Sequence, residues 1–159
     1  GGVFSTKGEL IITGGNFSGN DGSENGGVVS ATEGSSVTIH GGRFENNEAL
    51  DGGVVSVHKE GELIVRDGTF LENQAGNGGG AFWRDSGGRI EITGGIFTEN
   101  EADFGGFLYV KGEGSASCNG SSVERHRGVN GGAIYAVDEA VLYWACHLVD
   151  NEAFMGPAM

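Results

Sequence analysis

Few side chains in this sequence have the types and spacing that chemistry requires. Its histidines are His40, His58, His126 and His147, and its cysteines are Cys118 and Cys146. None forms a His-x3-His or mixed Cys/His pattern, so no zinc-type centre is expected, and the histidines read as surface or turn residues. Acidic groups are the larger resource. There are 22 Asp and Glu against 9 Lys and Arg, a net charge of −13. Hard oxygen ligands of this kind hold calcium when they converge. The residues that come nearest to converging are Glu72, Glu99, Glu101 and Asp103. The preferred reading of them is a solvated turn face that keeps a repeat protein soluble, so the expectation is no cofactor, with calcium at these four as the exception to look for. No Ser/His/Asp arrangement stands out. The glycine-rich stretch from Gly76 to Gly80 lacks the Lys-Ser/Thr pair and following helix of a phosphate loop. Catalysis is therefore not expected. The acidic balance argues against a nucleic-acid partner, since phosphate neutralisation needs Lys and Arg. No apolar run approaches the ~20 residues of a membrane helix, and no leader with a basic start and an apolar stretch is visible.

The elements that must position these residues are announced by glycine, 33 of 159 residues. Gly-Gly pairs begin at Gly1, Gly26, Gly52, Gly79, Gly105 and Gly131, spaced by 25, 26, 27, 26 and 26. A second marker, Phe17, Phe44, Phe70 and Phe97, continued by Val123 and Leu148, keeps the same period. A fixed period in this range is the mark of a solenoid. Seven and five residues before the Phe row stand two apolar rows. The first is Leu10, Val37, Leu63, Ile90, Ala116 and Val141; the second is Ile12, Ile39, Val65, Ile92, Cys118 and Tyr143. Polar residues mostly alternate with them, which is the pattern of a half-buried strand. Three past the Phe row come Asn20, Asn47, Asn73, Asn100 and Asn151, with His126 the one substitute. Stacked coils ~4.8 Å apart turn such rows into a phenylalanine column and an asparagine ladder. No window has helical spacing. The expected fold is all-β, a parallel β-helix of about six coils of about 26 residues, forming one domain over residues 1–159 that is a piece of a longer solenoid.

Register then sorts the remaining candidates. Two and four past the Phe row, Arg125 and Arg127 of the fifth coil fall between acids of the fourth and sixth, an arrangement that favours lateral pairing. Another row reads Ser5, Ser30, Ser56, Trp83, Tyr109 and Tyr135. Its last three members are either a partner-contact strip or a set of rings that stack on one another or face inward. Cys118 and Cys146 lie 28 apart, close to one period. Gap-free counting offsets them by three positions, so two free thiols and one disulfide are both open, the latter requiring an irregularity around Asn119 to Ser122. Asn16 and Asn119 begin glycosylation tripeptides.

The Gly-Gly-Ala-Ile of Gly131 to Ile134 and the Phe-x-x-Asn of the first four coils resemble the polymorphic outer membrane protein repeats. They resemble equally the right-handed parallel β-helix repeats of large secreted and surface proteins, within the pectate-lyase-like superfamily. The resemblance implies a right-handed coil and a structural repeat that builds stalks, adhesins and passenger domains. The corresponding function is a non-catalytic structural or interaction module, extracellular or at the cell surface, with a protein partner, a larger assembly or a glycan as ligand. The alternatives are a carbohydrate-binding or polysaccharide-cleaving β-helix, and an accessory subunit that docks by a solenoid end, for instance in an organelle lumen.

Overall fold

The computed structural model describes residues 1–154; residues 155–159, the end of the expected domain, lie outside them. The chain winds into a parallel β-solenoid whose strands stack in three sheets. One sheet has six strands, Phe4–Thr6, Val29–Ala31, Val55–Val57, Phe82–Arg84, Leu108–Lys111 and Ile134–Val137, taken in coil order. A second, longer sheet carries the apolar rows on Glu9–Ile12, Ser36–Ile39, Glu62–Val65 and Arg89–Ile92, and the phenylalanine row on Asn16–Ser18, Arg43–Glu45, Thr69–Leu71 and Ile96–Thr98. The third is short, with Glu48–Asp51, Gln74–Gly78, Glu101–Phe104, Arg127–Asn130 and Glu152–Ala153. Pairing is parallel between equivalent residues of neighbouring coils, for example Phe70 between Phe44 and Phe97. No helix among the described residues is long and apolar enough to cross a membrane.

Alternation within each strand puts one face inside. Leu63 and Val65 are fully buried while Glu62 and Ile64, which alternate with them, are half-buried. The phenylalanine rings form a column with centroids 4.9, 4.7 and 5.0 Å apart. The column stops at Phe97, because the fifth coil offers Val123. Phe107 fills the volume that Val123 leaves, with its ring 4.8 Å from Phe97. Trp144 lies beyond it at 6.5 Å.

Left-handed backbone recurs at several corners, and two of them show where glycine is required and where it is not. From Gly26 onward the first glycine of each Gly-Gly pair has φ near +60°, as in Gly79 at 66°. A Cβ there would sit 1.9 Å from the Phe82 carbonyl oxygen, so no side chain fits. The corner two residues past the Phe row is left-handed as well, at 52° for Glu72, 55° for Glu99, 54° for Arg125 and 50° for Asp150. Its first member, Gly19, has open space around the missing Cβ. Side chains are therefore admitted there at the conformational cost alone, roughly 1–2 kcal/mol.

The last two coils depart from the pattern. Strands that glycine corners separate elsewhere run together as Ser115–Glu124 and Val141–Val149. The register between them slips between Asn119 and Ser122, because the sixth coil is one residue shorter there. The sixth-coil members of the apolar rows are accordingly Leu142 opposite Ala116 and Trp144 opposite Cys118, not Val141 and Tyr143 as gap-free counting expects. Tyr143 points outward and is 65% exposed.

Candidate functional site

The asparagine ladder is the most regular polar feature, and its hydrogen bonds explain its spacing. Asn73 Oδ1 accepts from the backbone N–H of Asn47 at 3.0 Å and from its Nδ2 at 2.9 Å. Asn73 Nδ2 donates to Asn100 Oδ1 at 2.9 Å and to the Phe44 carbonyl at 3.0 Å. Asn47, Asn73 and Asn100 have no exposed surface. They are structural, since every group they own is engaged by the coil above or below.

His126 takes the asparagine place in the fifth coil, and it is fully buried rather than at the surface as its type suggests. Its Nδ1 accepts the Asn100 backbone N–H at 3.0 Å, standing in for an Oδ1, and the His126 backbone N–H donates to Asn151 Oδ1 at 2.9 Å. Phe107 stacks on the ring at 5.2 Å. The Phe97 carbonyl attracts the far edge of the ring, but Nε2 falls short of a hydrogen bond. Burial outweighs that attraction and lowers the imidazole pKa to about 4, so the ring is neutral at pH 7 with Nδ1 free to accept.

Of the four candidate metal ligands, Glu72, Glu99 and Glu101 line one shallow groove, while Asp103 lines a neighbouring depression with Phe154. Arg125 and Arg127 enter the groove with them. Arg125 Nε lies 2.9 Å from Glu99 Oε1, and Arg127 Nε lies 3.9 Å from Glu152 Oε2. The opposed charge rows thus meet as the register implies. No group of three or more His, Cys, Asp or Glu spaced for a metal ion occurs among the described residues.

The aromatic row faces outward. Trp83, Tyr109 and Tyr135 are half-buried. Their rings are close to parallel, with centroids 6.2 Å apart for Trp83 and Tyr109 and 5.7 Å apart for Tyr109 and Tyr135. Phe104 packs on both tyrosines, and His58 tilts against Trp83 at 4.9 Å. Gly78 makes room for this, because a Cβ on it would meet Tyr109 Cγ at 2.9 Å. Burial raises the Tyr109 pKa, and Tyr135, Asp138 and Asp51 nearby raise it further. Burial also raises that of Asp51.

Cys118 and Cys146 form a disulfide with Cα atoms 5.5 Å apart. The shortened sixth coil supplies the required irregularity by drawing Cys146 back opposite Gly120 and Ser121, whose backbone N–H at Ser121 donates to Cys146 Sγ at 3.3 Å. Asn16 and Asn119 are both exposed.

Sequence reasoning passes over Arg84. It occupies the inward row of Ala31, Val57, Val110 and Ala136 and is 1% exposed. Its Nη1 donates to the carbonyls of Asp85, Gly87 and Glu113, clamping loops of two coils, while Nε and Nη2 have no partner among the described residues. Burial lowers its pKa. The signal was its position one residue after outward-facing Trp83.

The molecule is thus a parallel β-solenoid of six stacked coils. Compared with known families, curated proteins and solved structures, the chain matches none of them.

Proposed function

We propose that this chain is a non-catalytic, rigid segment of a secreted or cell-surface β-helix protein of the polymorphic-outer-membrane type, and that it works as a spacer and partner-binding rod. The observation carrying this reading is the unbroken ladder. The same polar column runs from Asn20 to Asn151 with a single replacement. A catalytic site on such a scaffold would interrupt the repeat on one face with converging acids and a base. The acids nearest to converging are interleaved with arginines, which pair with Glu99 and Glu152. The disulfide supports an oxidising location such as the cell exterior or an organelle lumen, since such bonds are rare in reducing compartments.

The test is incubation of the purified protein with pectate, alginate and related acidic polysaccharides in calcium. No release of unsaturated sugars is expected. Their appearance would overturn the non-catalytic reading and direct attention to the groove of Glu72, Glu99 and Glu101.

A further inference from the structure

The strip of Trp83, Tyr109 and Tyr135 is wasteful as mere stiffening. The phenylalanine column inside stacks at 4.7 to 5.0 Å, close to the coil spacing of ~4.8 Å. The outer rings stand 6.2 and 5.7 Å apart. At that coil spacing the excess is a sideways offset of about 3–4 Å, so the rings overlap like shingles and part of each face stays uncovered.

The rim of the strip is negative. Asp51 and Asp138 lie close enough to act on Tyr109, and Asp85 lies 3.4 Å from His58 on the Trp83 side. Lys59 and Lys111 stand on the same border, but Glu60, Glu113 and Glu139 beside them leave it acidic. An aromatic face with a carboxylate rim favours a cation, which gains both from the ring quadrupole and from the charge. A neutral sugar would gain from the rings alone.

Spacing narrows the ligand further. An extended peptide places side chains i and i+2 on one side about 6.6–6.8 Å apart, near the ring spacings of the strip. From this we propose that the outer face at Trp83, Tyr109 and Tyr135 is a docking site for an extended basic segment of a partner protein, with arginines at alternate positions following the line of ring centroids, oblique to the solenoid axis. Each guanidinium would lie against an exposed ring face and within reach of Asp51, Asp85 or Asp138. The inference rests on the rod reading, in taking this face as a contact surface.

The experiment is calorimetric titration of the protein with three synthetic probes: the peptide Gly-Arg-Ser-Arg-Ser-Arg-Gly, a peptide of the same composition with its arginines consecutive, and cellohexaose. The alternating peptide should bind best, and more weakly as salt is raised. The double variant Tyr109→Ser/Tyr135→Ser should weaken it about tenfold or more. Serine already occupies this row at Ser30 and Ser56, so the variant keeps the fold, which circular dichroism checks. Asp51→Asn/Asp138→Asn, which keeps the rings, should also weaken binding and flatten its salt dependence. Absence of binding, binding that the serine variant leaves intact, equal binding of the consecutive-arginine peptide, or preferential binding of the oligosaccharide would each overturn the proposal. Sugar release in the polysaccharide assay would instead sink the rod reading and leave this titration to be judged by itself.

Discussion

The second to fourth coils and the last two obey the same winding but are held by different means. In the former, every coil repeats the same stacked ring and the same four-bonded asparagine, and each is covered on both sides. In the fifth and sixth, valine replaces phenylalanine, histidine replaces asparagine, and a glycine corner is lost. Phe107, Trp144 and the Cys118–Cys146 bond make up the difference. A repeat gives each coil its stability through identical neighbours. Where neighbouring coils differ in residue and register, that support weakens, and here a covalent tie adds to it.

Four measurements would break or sharpen that contrast. Among changes that leave the protein able to fold, the largest effect should come from Asn73→Ala. It strips partners from the buried Asn47 N–H and the Phe44 carbonyl, at ~1–3 kcal/mol for each group left unsatisfied, so a loss of about 2–6 kcal/mol is expected in denaturant unfolding. The matching change Asn151→Ala, at the partly exposed end of the ladder, should cost only ~1 kcal/mol. Equal losses would mean that the coils do not differ. Second, reducing the disulfide should cost about 3–4 kcal/mol for a closed loop of this length. Hydrogen exchange should place the new opening in the last two coils and leave Phe44 to Phe97 protected.

Third, the His126 ring should make stability fall in acid. Its pKa is about 4 when folded, below the ordinary value of 6.5, so the unfolded chain takes up a proton that the folded one refuses. This contribution is complete above about pH 6.5 and is lost progressively as the pH drops toward 4, by roughly 3 kcal/mol in all. His126→Asn should remove that slope. An unchanged profile would show that the ladder tolerates a charged member. The smallest effect is expected from Glu72→Gly, which relieves a left-handed corner in open space and should alter stability by no more than ~1 kcal/mol. Gly79→Ala at the crowded corner should by comparison prevent folding, as judged by circular dichroism.

The rows of Phe17 to Phe97 and Asn20 to Asn100 were legible because two independent markers kept one period, so register followed by counting. The meeting of Arg125 with Glu99 followed from the same counting. Counting fails at Trp144 for a physical reason. A strand alternates every residue, so a one-residue deletion exchanges inward and outward faces on one side of it. Nothing in Val141 to Leu148, apolar on both faces, marks where the deletion lies. Burial of His126 was legible in its row and obscured by its residue type. The arginine at Arg84 was hidden in the same way, because its row otherwise holds Thr6 and then only Ala and Val, and a charge there runs against expectation. The outward direction of Trp83, Tyr109 and Tyr135 depended on strand parity next to glycines, where left-handed residues disturb simple alternation.

The ladder also gives the rod a direction. Along any strand the peptide groups point alternately up and down the stack, and their dipoles largely cancel. In the asparagine column they do not, since each Oδ1 accepts from the coil before it and its amide donates to the oxygen of the coil after. Bonds aligned this way polarise one another. The column therefore behaves as a one-way chain, and the molecule has a head and a tail. A coil inserted upside down would set oxygen against oxygen, so the stack can be extended in only one orientation.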